Sequence, residues 1–334
     1  MIRFRALTTT LLAAGVLSLA FLVPVAAAAQ QGGNKDFQVW LDGVRKEALQ
    51  QGISQATVDA ALGKDLAPIP RVIELDRKQT EFTVTFERYL EITMPASRIE
   101  KGRQLMAQNK ELLFQIQGRF GLQPQYLVAL WGIESSFGEK QGTFPVVAAL
   151  ATLAYDGRRS ALFRKVLFNA LKILNEGHIT PAEMRGSWAG AMGQNQFMPS
   201  SFVNNAVDFD GDGRRDIWGT PADVLASAAN YLARSNWRPE QPWGVKVDVP
   251  ANLDPSLINP DATKPAAQWQ ALGIRRTDGQ ELPTQAGEGA LIQPGGAGNP
   301  TFLVFDNFRS IMKWNKSTFF ATAAGLLADQ LAAQ

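Results

Sequence analysis

Apolar and polar positions along the chain follow two periods. Over 37–50 apolar residues recur at three- and four-residue spacing, which predicts an amphipathic helix stopped by Gly52. Ser54 is placed to cap a short helix through 62. The stretch 65–70, with its prolines, reads as a linker. Helical spacing returns over 98–117 and ends near Gly118. Pro124 suits the first turn of a helix in "QYLVALWGIESSF", Ser160 caps another through 174, and Pro221 opens one through 234. After Trp243 the period falls to two. "WGVKVDVPANL" alternates as a strand does, and "ALIQP" and "TFLVF" are short strand-like pieces in a Pro-, Gly- and Thr-rich stretch. From 307 to 333 the spacing is helical again. The pattern predicts a mainly α protein with a small β-rich insertion over 242–306 and a C-terminal helix over 307–334, without internal repeats.

One predicted helix has no polar side. Leu127, Leu130, Trp131 and Glu134 share a face, while Tyr126, Val128, Ala129 and Ile133 fill the others. Such a helix is buried. Glu134, at its end, loses hydration, and desolvation raises a carboxyl pKa. An acid that keeps its proton near neutral pH can donate it to a leaving oxygen. A glutamate paired with an arginine for structure fits the same pattern, and these residues alone leave both readings open. The segment "GSWAGAMGQNQFMPSSF", over 186–202, adds flat apolar faces at Trp188 and Phe197 and amides at Gln194, Asn195 and Gln196. Flat faces beside amides suit sugar rings, and they also suit an aromatic-pinned surface loop.

Composition narrows the chemistry. The 334 residues contain no cysteine and one histidine. Disulfides, thiolate metal sites, a cysteine nucleophile and His-clustered zinc are therefore excluded. His178 has no Gly-x-Ser-x-Gly elbow to serve and reads as an exposed residue after a helix end. The first residues show a basic start at Arg3 and Arg5, an apolar run over 11–25 and small residues at Ala27 and Ala29, the features of a cleaved secretory leader over 1–29. A short polar stretch over 31–35 then separates leader from fold. Without those two arginines the 33 Lys and Arg become 31, equal to the 31 Asp and Glu, so charge gives no argument for nucleic acid. With no cysteine to carry a lipid, the expectation is a soluble periplasmic protein and not a lipoprotein.

"DFDGDGRRDIW" supplies Asp208, Asp210 and Asp212 at alternating positions, followed by Gly213. This matches the first half of an EF-hand loop, where hard carboxylate oxygens surround Ca²⁺. The second half departs, because the twelfth position is Gly219 rather than a bidentate Glu.

"GIESSFG" and "GSWAGAMGQNQFMPSSF", in this order, closely resemble the lytic murein transglycosylase B family. The resemblance extends to "FERYL", "YDGRRS", the aspartate loop, "ANYLARSNW" and "KWNKSTFF", and so covers nearly all of the chain after the leader. It implies an N-terminal helical region over 30–95 and a lysozyme-like helical core over 96–241 that carries an EF-hand-like loop at 208–223. It implies cleavage of the bond between N-acetylmuramic acid and N-acetylglucosamine in peptidoglycan without water, leaving a 1,6-anhydro end, with Glu134 as acid and then base. Glycan strands are the implied partner of a monomer, with other cell-wall enzymes as candidate partners and no organic cofactor. By the same resemblance Ser187 and Gln196 contact the sugar near the cleaved bond, Arg158 and Arg159 form an arginine pair in the cleft, and Tyr89, Tyr231 and Asn315 are further cleft positions. Trp314 and Phe320 stand where the family often has tyrosine, so stacking is expected there and a hydroxyl contact is not. Structural calcium is implied at Asp208, Asp210 and Asp212, with the carbonyl of Arg214 and, as closing carboxylate, Asp223. Asp216 binds directly or through water. A hydrolytic muramidase and a silent wall-binding scaffold are the alternatives.

Overall fold

The computed structural model describes residues 24–78 and 84–333. Most of the expected leader lies outside the described residues. The first helix, Pro24–Gln50, runs through the polar stretch expected to separate leader from fold. Phe37, Leu41, Val44 and Ala48 form one stripe of this helix and are fully buried. Gly52, at φ +85°, makes the turn, and the Ser54 hydroxyl accepts the Thr57 N–H at 3.2 Å to start the Gln55–Ala61 helix. This N-terminal pair packs on the Val146–Asp156 and Ser160–Asn175 helices and shares one core with them. Residues assigned by sequence to an N-terminal unit and to the central one are thus interleaved. Val146–Asp156 is buried from Val146 through Ala154, so it carries no periodic signal. Ser160 is the first residue of its helix rather than its cap.

A second core surrounds the Pro124–Ser135 helix, in which every residue from Tyr126 through Gly132 is buried. The Thr318–Ala332, Ala96–Gln108, Pro221–Arg234 and Lys110–Phe120 helices pack around it. Two long helices expected from the sequence are broken. The stretch 98–117 belongs to Ala96–Gln108 and Lys110–Phe120, parted at Asn109, whose amide donates to the Leu105 carbonyl at 2.9 Å. An asparagine that bonds the helix backbone competes with the helix itself. The stop is Gly121, at φ +72°, not Gly118. The C-terminal stretch is Asp306–Trp314 and Thr318–Ala332. Between them Asn315 Oδ1 accepts the Ser317 N–H at 3.0 Å, and Ser317 Oγ caps the next helix by accepting from Phe320 N at 3.3 Å. That corner sets Trp314 and Asn315 at one end of the central helix.

The insertion is a five-stranded antiparallel sheet. Its order is Lys264–Pro265, Glu288–Ile292, Thr301–Val304, Gly244–Asp248, Arg275–Arg276. One face closes a small core with Trp269, Leu291, Leu303 and Phe305. The other face sends Ile292, Phe302 and Val304 into the helical core beside Trp243. The whole Thr301–Val304 strand is consequently buried on both faces. Trp243 ties the two parts together, for its indole N–H donates to Asp329 Oδ2 at 2.9 Å on the last helix.

Gly325 of that helix faces the same indole. A Cβ there would stand 2.2 Å from Trp243 Cδ2 and 2.4 Å from Cε2. A fully buried ring cannot swing aside as a flexible side chain does. Gly325→Ala is expected to destabilise the protein by about 1–3 kcal/mol in urea unfolding despite its higher helix propensity. An unchanged midpoint would show that helix and insertion do not meet this closely.

Candidate active site

Glu134 sits in the last turn of Pro124–Ser135, and the chain turns sharply just beyond it. Ser136 and Phe137 both adopt left-handed backbone, at φ 50° and 61°. Two successive non-glycine residues there store strain that the surroundings must hold. Ser135 and Phe137 are buried, and the Phe137 ring packs edge-on to Trp131 at 5.6 Å. Gly132 lies under the same ring, since a Cβ there would come within 2.8 Å of it. The helix cannot fray without exposing this cluster, so Glu134 is delivered at a fixed point. Burial pushes its carboxyl up to about 7, against a single stabilising donor: the indole N–H of Trp314, 2.7 Å from Oε1.

Trp314 departs from expectation. It lacks a hydroxyl, yet it supplies a polar contact to the acid through nitrogen. Its ring belongs to an aromatic wall, 4.9 Å from Tyr231 and 5.1 Å from Phe197. The Tyr231 hydroxyl donates to the Lys313 carbonyl at 2.6 Å and so anchors the wall. Phe197, expected to offer a flat face to sugar, is 3% exposed and belongs to the core. Phe320 is likewise core. Tyr89, from the Phe86–Thr93 helix, stands near enough to sense the acid. Its phenol is pushed up by burial first, with the Glu134 charge adding to that. Its ring packs on Phe319 at 5.6 Å. Asn315 keeps its carboxamide oxygen on the Ser317 N–H, which leaves its NH₂ as a donor.

The glycine-rich segment is held as a scaffold. Gln194, whose amide suited either a sugar contact or a pinned loop, is 7% exposed. It accepts from the Trp131 indole at 2.7 Å and donates to the Trp218 carbonyl at 2.8 Å. Asn195 donates to the Val224 carbonyl at 2.8 Å. Both amides are spent on structure. Gln196 differs, with φ 47° and an Nε2 that donates to the Gly193 and Gln141 carbonyls at 2.8 and 3.1 Å. Its oxygen has no protein donor among the described residues. Ser187 Oγ accepts the Ala191 N–H at 3.0 Å and keeps its own proton to donate. Gly142 presses on this turn so closely that a Cβ would lie 2.2 Å from the Gly186 carbonyl. Glu134, Trp314 and Tyr231 are thus in direct sequence of contact, and Gln196 and Ser187 join them through the 138–142 loop.

The arginine pair is anchored elsewhere. Arg158 donates to the Asp76 carbonyl at 3.0 Å, and Arg159 pairs with the Asp76 carboxylate. Asp76 is 2% exposed, and a buried carboxylate needs such partners. Both guanidiniums therefore fasten the Pro70–Arg77 helix to the start of Ser160–Asn175. His178 corrects another expectation, being 7% exposed rather than open. Its Nδ1 accepts the Arg215 N–H at 3.1 Å, and its ring packs on Phe202. The turn at Gly177 folds it back under the aspartate loop.

In that loop Asp208, Asp210 and Asp212 each bring a carboxylate oxygen within 4.8 Å of the others. Their protein partners are loop amides, as when Asp208 accepts from Gly211 and Gly213 at 2.7 and 2.9 Å. No lysine or arginine pairs with them among the described residues. Three negative groups so close repel unless a cation lies among them, which is the fit expected of a hard-cation site. Asp223 is set apart from this group. It is fully buried, and its two oxygens accept from Phe209 N and Asp216 N at 2.7 Å each. Asp216 turns its carboxylate to the Trp218 and Gly219 amides. Arg214 contributes an amide to Asp212 Oδ1 at 2.8 Å.

Sequence reasoning missed two supports. Trp131–Gln194 locks the acid's helix to the glycine-rich segment, and its only signal was an amide inside a motif. Arg98 reaches the Thr93 carbonyl and the Ser136 hydroxyl, bracing the turn behind Glu134. Nothing in its local pattern marked it.

The family model described as "Transglycosylase SLT domain" matches residues 36–329. Membrane-bound lytic murein transglycosylase B of Escherichia coli (strain K12) is 32% identical over 248 residues, covering 73% of this chain and 67% of that protein. SltB3 from Pseudomonas aeruginosa, in complex with NAG-anhNAM-pentapeptide, superposes with a TM-score of 0.85 at 44% identity, covering 88% of this chain and 79% of that one. Escherichia coli lytic transglycosylase Slt35, in complex with calcium, gives a TM-score of 0.74 at 26% identity, covering 90% and 92%.

The raised midpoint of Glu134 links the site to stability. A carboxyl lifted in the native state binds its proton more tightly there than in the unfolded chain. Between the ordinary glutamate value of 4.5 and about 7 the protein therefore loses stability as pH rises. Glu134→Gln removes that penalty. It is expected to stabilise the protein at pH 8 by on the order of 3 kcal/mol, with the gain vanishing toward pH 4. Equal effects at both pH values in thermal or urea unfolding would contradict the burial of the carboxyl.

Proposed function

The chain belongs to the transglycosylase SLT domain family, and from that premise we propose that Glu134 is its catalytic carboxyl, used first as acid and then as base. The protein is a lytic transglycosylase acting on peptidoglycan. In the first step the Glu134 proton passes to the oxygen joining N-acetylmuramic acid to N-acetylglucosamine, and the C1–O bond breaks with its electron pair on that oxygen. In the second, Glu134 takes the proton of the C6 hydroxyl as that oxygen bonds to C1. The ring closes as a 1,6-anhydro sugar, and the acid is restored without water.

The observation that carries this reading is a carboxyl at a buried helix end, held by one indole donor and pushed up to about 7. Near neutral pH such a group exists in both forms, as a double role requires. Glycosidases that rely on a second carboxylate place it within a defined distance of the first. A nucleophile that belongs to the substrate removes the need for one. The bound NAG-anhNAM-pentapeptide of SltB3 supports the same chemistry.

In this reading the Ser187 hydroxyl, the Gln196 oxygen and the Asn315 amide hold the sugars, while Tyr89, Tyr231 and Trp314 line the cleft. Arg158 and Arg159 act from further off, with N–H groups left over from Asp76 for carboxylates of the substrate. Asp208, Asp210 and Asp212 hold a structural calcium ion with the Arg214 carbonyl, and its charge pins the loop that follows the sugar-binding segment. Asp223 supports that loop from inside. The protein works in the periplasm, where its leader features and substrate direct it. No helix among the described residues is long and apolar enough to cross a membrane.

Two measurements test this. Glu134→Gln is expected to lower turnover of purified sacculi by at least about a thousandfold while glycan binding is kept, and mass spectrometry of wild-type digests should show muropeptide ends lighter by one water. A wholly hydrated product set would make the enzyme a muramidase. Removing calcium with a chelator is expected to lower Tm by about 2–4 °C, an effect absent in Asp210→Asn. A chelator-insensitive wild type would remove calcium from the account.

A further inference from the structure

We propose that Trp314 is the positioning residue of the acid: its indole N–H holds Glu134 Oε1 as an acceptor in both halves of the reaction and so confines the catalytic proton to Oε2. This rests on the reading of Glu134 given above and assigns Trp314 a role different from sugar stacking.

An indole N–H donates and never accepts. At 2.7 Å from Oε1 it lies in the range of strong, charge-assisted bonds. A proton placed on Oε1 would confront the indole hydrogen, so the protonated acid carries it on Oε2. Once that proton has gone to the glycosidic oxygen, the same N–H stabilises the carboxylate that remains. The donor does not have to turn between the two steps, and preorganised donors are the ones that contribute most.

The ring is held for this task. Trp314 is the last residue of its helix, and the chain breaks at Asn315 immediately after it. Tyr231 meets the indole at 65°, and Tyr231 is itself tied to the carbonyl of Lys313, the neighbour of Trp314. Phe197 backs the other side and is fixed by paired backbone bonds with Met192 at 2.9 and 3.0 Å. Other titratable and charged groups lie around the acid. Tyr89 belongs to Phe86–Thr93, and its phenol is pushed up by burial, with the Glu134 charge adding to that. Arg98 of Ala96–Gln108 turns to Thr93 and Ser136. Lys313 donates to the Ser235 carbonyl at 3.0 Å. The hydrogen bond that reaches the Glu134 carboxyl is the one from the indole.

Two variants and one spectrum of the full chain test the assignment. In ¹H–¹⁵N spectra the Trp314 indole signal, identified by its loss in Trp314→Phe, is expected to titrate in one step near neutral pH, and the step should be missing in Glu134→Gln. On sacculi Trp314→Phe is expected to lower kcat about ten- to a hundredfold with KM within about threefold. Its alkaline limb should move up by about one pH unit, because the carboxylate has lost its donor. Trp314→Tyr, whose hydroxyl can donate, should recover most of both changes. An indole signal indifferent to pH, or a Trp314→Phe enzyme with raised KM, unchanged kcat and an unmoved limb, would overturn the proposal and leave Trp314 as a sugar platform. Turnover persisting in Glu134→Gln would instead overturn the reading of the acid, whatever Trp314 does.

Discussion

A carboxyl largely withdrawn from water at the end of a helix buried from Tyr126 through Gly132 is costly, and much of the surrounding structure compensates that cost. Desolvation alone would drive Glu134 out of its useful range or out of the fold. The compensation is one donor, the Trp314 indole, delivered by a helix that ends at that residue. Burial and donor act in opposite directions on the same group, and their balance lies near neutrality. The chemistry requires that balance. A fully hydrated glutamate would be ionised and unable to protonate a leaving oxygen, while one held protonated too firmly would fail as the base.

The rest of the molecule holds these two groups in register. The Pro124–Ser135 helix is fixed on one side by Gln194, which bonds the Trp131 indole, and on another by the Thr318–Ala332 helix. The left-handed turn at Ser136 and Phe137 is closed by a buried ring and by Arg98. The sheet insertion lies farther from the chemistry but grips the same last helix through Trp243, Gly325 and Asp329. Movement of the insertion would therefore reach the short corner that carries Trp314 and Asn315. The aspartate loop follows the glycine-rich segment and is seated from below by Asp223, so its charge acts on position rather than on the reaction.

Much of this was legible because burial leaves a sequence trace. The apolar helix with an acid at its end, the strands after Trp243 and the Pro221–Arg234 helix followed from periodicity and proline placement. What was misread shares one cause, the contest between a side chain and the backbone or a distant partner. Asn109 and the Asn315–Ser317 corner break helices that periodicity alone would continue. Gln194 and Asn195 suited sugar contact and a pinned loop equally, because an amide in a loop looks available until its partner carbonyls, at Trp218 and Val224, are known. Arg158 and Arg159 are tied to Asp76, more than eighty positions upstream, a partner that no local pattern shows. His178 shows the same thing in reverse, where a residue expected in solvent is enclosed by Arg215 and Phe202. Trp314 is the most instructive case. Comparing it with tyrosine directs attention to the missing hydroxyl, whereas the ring nitrogen makes the bond.

The central claim concerns one proton, and the most direct measurement follows it. Titrating the side-chain carboxyl carbon of Glu134 by ¹³C NMR, in protein labelled at glutamate and assigned by the loss of one signal in Glu134→Gln, reads the ionisation without reference to turnover. The account predicts a midpoint about 7, well above the ordinary glutamate value of 4.5. A midpoint at or below 4.5 would mean that water reaches the group freely, and the acid–base role assigned to it would fall.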